Sequence, residues 1–273
     1  MLLLIVVTAA SAWLRLTQPR PACDDWPVCR ATTPDSARRA VMLDAPAPDT
    51  ESVVRATHRL TATLALLIVV AMVILALRGR PRDRNVCALT LALLSFALGL
   101  SALGIVTPGS RAAAVLLGNM LGGLLMLALA WRLTRQFAAT VARGAGRTLG
   151  LWALVGAALW GVQSGLGALS GASESIRISI AHGALALAPG GCALGVGWLA
   201  RRRGLRAEGG ALMLLAVAQW VIGGFAVELD ARFTAVLLHN TGAALGLALM
   251  VGLIGRGACD HDTGPSGGGA HQV

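Results

Sequence analysis

Lysine and tyrosine are absent from this 273-residue chain, and all 23 of its basic residues are arginine. That bias points to a GC-rich bacterial genome and not to a chemical need. Charge is scarce throughout, at 13% of residues against 56% hydrophobic. Several runs approach or exceed the roughly 18 uncharged residues that mark a membrane-crossing helix. This excludes a soluble domain and identifies a polytopic membrane protein. A net charge of +10 would suit a nucleic-acid partner. The arginines, however, sit in short loops between apolar runs, as bilayer orientation requires, so no nucleic-acid role is expected. Apart from Pro189, no span is broken by a mid-membrane proline or charge, which argues against a small transporter.

Eight spans are expected, over 1–16, 59–77, 86–107, 112–131, 148–169, 177–200, 208–227 and 233–255. The first is short. Its TAASAW resembles a signal-peptidase site, yet no basic region precedes the apolar run, so it reads as a first helix whose native start lies upstream. The connections after spans two, four and six hold four arginines each, whereas those after spans three, five and seven hold one each. Basic loops stay in the cytoplasm, which predicts cytoplasmic termini, a bacterial plasma-membrane location and an outer loop over 17–57. The Gly-rich tail, 257–273, reads as disordered.

The spans form two halves, 1–140 and 141–256. His58 in the second span corresponds to His182 in the sixth at an offset of 124, and Gly118 corresponds to His239 at an offset of 121. The two short runs AVLLGN and AVLLHN carry the second match. The expected fold class is therefore an all-α polytopic membrane protein, with eight transmembrane helices as two duplicated four-helix bundles related by an axis along the membrane normal.

Histidine within hydrocarbon is costly and tends to be functional. His182 follows Arg177 by five residues and His239 follows Arg232 by seven, which sets the two imidazoles within roughly 3 Å of the same depth at the helical rise per residue. Two imidazoles at one depth suit the axial ligation of a heme iron. Gly183, Ala184, Gly242 and Ala243 leave room beside them for a flat macrocycle. The bland alternative is a pair of histidines bonded to backbone or water. Zinc or copper ranks lower, because no carboxylate or thiolate lies near in the spans. Arg59, beside His58, either pairs with a heme propionate or snorkels to the headgroups, and Arg15 has the same two readings. Cys23 and Cys29 bracket DDWPV in the outer loop and read either as a disulfide staple or as a redox-labile pair.

LRLT closing span one, CDDWPVC, HRLTA opening span two, and AHGALA and LLHNTGAA in the second half together resemble the heme A synthase family over nearly the whole chain. The resemblance implies a membrane oxidoreductase that converts heme O to heme A by oxidising a heme methyl group to a formyl group, for terminal oxidase assembly. It implies a heme b cofactor on His182 and His239. His58 would be the first histidine of the substrate-heme site, and Cys23 with Cys29 the outer-loop cysteines. An external electron donor is expected, together with heme O synthase or oxidase assembly factors as partners, membrane lipid around the spans, and room for a homo-oligomer. The pattern breaks twice. The family's second N-terminal histidine is Gly118 here, with Asn119 next to it, and an acid usually three positions before the first histidine is Arg55. Glu51, seven positions before His58, lies on the same face if the helix extends that far. These departures leave open a non-catalytic heme-binding or electron-transfer partner that keeps only the C-terminal pair.

Overall fold

The computed structural model describes residues 1–17, 49–79, 81–107, 110, 112–137, 146–172, 176–228 and 233–254. Among the described residues the regular structure is all helical: α1 Leu2–Thr17, α2 Asp49–Arg78, α3 Arg84–Val106, α4 Ala113–Phe137, α5 Gly146–Ala172, α6 Ile176–Leu185, α7 Leu187–Arg202, α8 Arg206–Glu228 and α9 Phe233–Ile254. With no water in hydrocarbon to satisfy the backbone, helices that bond internally are the form such apolar runs take. Among the described residues seven spans are long and apolar enough to cross a bilayer, α6 and α7 together counting as one, while α1 is shorter at 16 residues. The protein is a multi-pass all-α membrane protein. Cys23, Cys29, Cys259 and the 257–273 tail lie outside the described residues.

Two expectations shift in position. Span two starts about three turns earlier than its apolar run, at Asp49, so His58 sits well inside α2 and not at its mouth. Glu51 is therefore helical, and it forms an i,i+4 ion pair with Arg55. The hydrogen-bond ladder of span six is interrupted at Ala186, while the backbone there stays helical at φ −56° and ψ −26°. Pro189 has no N–H to offer the Leu185 carbonyl, and its ring crowds that carbonyl, which accounts for the interruption. The two pieces differ sharply. None of the side chains of α6 is buried, whereas α7 buries Pro189, Gly190, Ala193, Val196, Gly197 and Ala200.

Helix ends follow local chemistry. Asp83 caps α3, accepting from Asn85 N–H at 2.8 Å and Val86 N–H at 3.1 Å. The end of α7 is a Schellman turn: Leu205 N–H bonds Ala200 O at 3.0 Å and Gly204 N–H bonds Arg201 O at 3.1 Å, with Gly204 at φ 84°. That left-handed position suits glycine.

Chain neighbours pack side by side, and α4 and α9 form the seam, with α1 also against α9 and α5 also against α4. Large side chains fill the seam: Leu127, Leu149, Met250 and Leu253 are almost wholly buried. Glycines set the closest approaches, because small residues let membrane helices come together. Trp220 fills the notch at Gly190, Trp160 the notch at Gly246, and Trp131 the notch at Gly252. On the outside, Leu60, Leu67 and Leu75 of α2 are each at least 60% exposed, as a lipid-facing surface would be.

Candidate functional site

A cavity of about 960 Å³ is lined by residues of both halves and holds all three intramembrane histidines, His58, His182 and His239. It also exposes Arg15 of α1 and Asn119 of α4. The sequence reading placed these histidines on separate helices, α2, α6 and α9. Their meeting in one space is a result of packing.

His182 and His239 face one another, with ring centroids 6.3 Å apart and ring planes at 86°. Each Nδ1 is buried without a hydrogen-bond partner. Both rings belong to residues that line the cavity. Two imidazoles on opposite sides of one metal, each bonded at about 2 Å, have ring centres about 6 Å apart. The observed spacing fits that arrangement, and a near-perpendicular pair is compatible with it. Among the described residues no group of three or more His, Cys, Asp or Glu gathers around a point. Two imidazoles at this spacing suit a metal whose other ligands come with a macrocycle.

The rings rest on glycine. A Cβ at Gly167 of α5 would come within 2.8 Å of His182 Cε1, and one at Gly223 of α8 within 3.2 Å of His239 Cε1. The backbone is held as well. Gln163 Nε2 of α5 donates to His182 O at 2.8 Å, and Gln219 Nε2 of α8 donates to His239 O at 3.1 Å. Trp160 Nε1 donates to Ala243 O at 2.9 Å, and Trp220 Nε1 to Ala186 O at 3.0 Å. Gln163, Gln219, Trp160, Trp220, Gly167 and Gly223 were missed in the sequence. The two glutamines carry the readable signal, since an uncharged amide inside an apolar span needs a partner.

The small residues beside the histidines divide. Gly183 and Ala243 line the cavity, while Gly242 faces the Gln219 amide and Ala184 is off the cavity wall. Arg59 is exposed and also off the wall, whereas Arg15 is on it.

At the His58 end the register of α4 is informative. The lining residues of α4 include Leu116, Asn119, Met120 and Gly123, and those of α9 are Val236, His239, Asn240 and Ala243. The spacing is the same, so Asn119 stands at the cavity position that His239 holds on α9. Gly118, the counterpart by sequence, is exposed, and a Cβ there would lie 3.2 Å from Leu103 Cδ2. The cavity wall of α4 thus offers an amide and no second imidazole. Comparison with protein-family models and with curated proteins gives no match.

Proposed function

We propose that the protein is a heme-binding membrane oxidoreductase of the heme A synthase type. In this reading His182 and His239 hold a heme b, and the part of the cavity at His58 receives heme O, whose methyl group is oxidised to a formyl group. The observation that carries the reading is the pair of imidazoles with ring centroids 6.3 Å apart, both on residues that line a cavity of about 960 Å³. When bound there, heme b supplies one-electron redox chemistry. The chain's own part is to fix both rings, to wall the site from water with apolar helices, and to offer His58 and Arg15 to the substrate. Arg15 provides a cation on the wall for a carboxylate of that substrate.

Eight spans in two related bundles are part of the same proposal. Reciprocal seam contacts support it, α1 against α9 and α5 against α4, as does the matching spacing of cavity residues on α4 and α9. So is a bacterial plasma membrane with both termini cytoplasmic, supported by the arginine-rich connections. The oxidant is dioxygen: in each of two hydroxylations one oxygen atom enters the methyl carbon and the other leaves as water with two electrons and two protons from an external donor. The dihydroxylated carbon then loses water to give the formyl group, and heme O synthase or oxidase assembly factors are the expected partners.

A non-catalytic heme-binding or electron-transfer partner is the second reading, and specific residues favour it. Asn119 stands where a second imidazole would complete the His58 site, and Arg55 is paired to Glu51. One experiment separates the two. The protein is expressed with a heme O source, and its hemes are extracted and weighed by mass spectrometry. A hydroxylated or formyl heme supports catalysis, and unchanged heme O throughout supports the carrier. His182→Ala and His239→Ala should each abolish a low-spin bis-histidine spectrum; retention of that spectrum in both variants would overturn the ligand assignment.

A further inference from the structure

A helix carbonyl ordinarily accepts from the N–H four residues on, as Ala186 O does from Gly190 N–H at 3.3 Å, whereas the N–H four on from His182, that of Ala186, bonds Gly183 O instead. Side-chain N–H groups also reach carbonyls around the site. Here four such donors act at two levels. The glutamines bind at the histidines themselves, and the tryptophans bind four residues further along, at Ala186 and Ala243. The partners cross over between the levels. On α5, Gln163 holds α6 and Trp160 holds α9. On α8, Gln219 holds α9 and Trp220 holds the α6–α7 junction. The four bonds therefore close a ring through α5, α6, α8 and α9.

Three of the donors occupy notches that only glycine allows. A Cβ at Gly242 would collide with the Gln219 amide, one at Gly190 with the Trp220 ring, and one at Gly246 with the Trp160 ring. Small residues let helices approach but also let them slide and rotate, whereas a hydrogen bond is directional. The bonds therefore fix height and rotation where packing alone does not.

The two histidine helices need this unequally. α9 buries nine residues, among them Leu247, Met250 and Leu253, whereas α6 buries none and joins the packed α7 through the interrupted turn at Ala186. α6 is held to α5 by Gln163 and by a 2.8 Å contact between the Ser170 and Ser179 hydroxyls, and to α8 by Trp220.

We propose that Gln163, Trp220, Gln219 and Trp160 are positioning residues that set the mutual height and angle of His182 and His239 through the helix backbone, with α6 depending on Gln163 and Trp220 more than α9 depends on Gln219 and Trp160. The proposal rests on the reading of the two histidines as ligands of one heme.

The test is the electron paramagnetic resonance spectrum of the oxidised, heme-loaded full-length protein, whose low-spin signal depends on the angle between the imidazole planes. Gln163→Leu and Trp220→Phe should keep low-spin heme but shift its signal away from that of the parent or split it in two. Gln219→Leu and Trp160→Phe should shift it less. Gln163→Glu, whose protonated carboxyl donates to the same carbonyl, should restore the parent signal. Trp220→Phe keeps the aromatic ring and loses one N–H, so it carries the test even if Gln163→Leu fails to fold. An unchanged signal in Gln163→Leu and Trp220→Phe overturns the positioning role, and equal shifts from both pairs overturn the asymmetry. A parent protein without low-spin heme overturns the ligand reading itself, a separate outcome.

Discussion

Gly167 of α5 lies under the His182 ring so closely that a Cβ on it would stand 2.8 Å from Cε1 and 3.3 Å from Nε2. The ring cannot retreat freely, because Gln163 on the same helix holds the His182 carbonyl. Gly167→Ala should therefore displace the imidazole, at an overpacking cost of about 1–3 kcal/mol, which would weaken heme binding by roughly 5- to 160-fold and lower the heme-to-protein ratio of the purified protein. Gly223→Ala meets His239 at 3.2 Å and should cost less. Heme content measured against protein for both variants checks the order. Full occupancy in Gly167→Ala would mean that the ring is not held where the structure has it.

The cavity register makes a sharper prediction for α4. Asn119→His sets a second imidazole on the wall that already carries His58, so a protein supplied with heme should gain a second low-spin signal. Gly118→His should not, because that position is exposed and lies beside Leu103 and off the cavity. Spectra of the two variants decide between registers. A new signal from Gly118→His alone would favour the sequence offset of 121 over the cavity spacing.

That one-residue difference shows where sequence reading stopped. The runs AVLLGN and AVLLHN align without ambiguity, but cavity facing depends on how each helix is rotated against its neighbours. The helices themselves were legible, because an apolar run in hydrocarbon has few forms available. The histidine pair was legible too, since His182 and His239 are costly in apolar spans. Pro189 was visible, yet the interrupted turn at Ala186 emerged only with the packed α7. Gln163 and Gln219 passed unnoticed because their partners are backbone carbonyls, which no residue identity reveals. Gly242 read as space for a macrocycle, and the structure fills it with the Gln219 amide.

The α7–α8 contact is closer than any side chain permits. A Cβ at Gly197 would lie 2.7 Å from Gly209 O and 2.6 Å from Met213 Cγ. Since the nearest obstacle includes backbone, relief requires the helices to part. Gly197→Ala and Gly209→Ala should each destabilise the protein by about 1–3 kcal/mol, read as a lower midpoint in thermal unfolding in detergent. Gly183→Ala serves as the comparison, because a Cβ there meets nothing within 4 Å, and it should unfold like the parent. Equal midpoints for all three would mean that α7 and α8 pack less tightly than described.

Orientation decides which compartment reaches the site. His58, His182, His239 and Asn119 lie nine or fewer residues from the starts of α2, α6, α9 and α4, and in an alternating chain all four starts share the face that carries Ser110. Arg82 and Arg206 lie at the other face, where Arg202 also stacks over Trp198 at 4.1 Å, as an interfacial anchor does. With the five native cysteines replaced by serine, Ser110→Cys in intact cells should react with a membrane-impermeant thiol reagent. Arg82→Cys and Arg206→Cys should react only after permeabilisation. The reverse pattern would put the histidines near the cytoplasm. Labelling of all three from outside would mean that the helices between them do not alternate across the bilayer, and the shared depth of the histidines would need another cause.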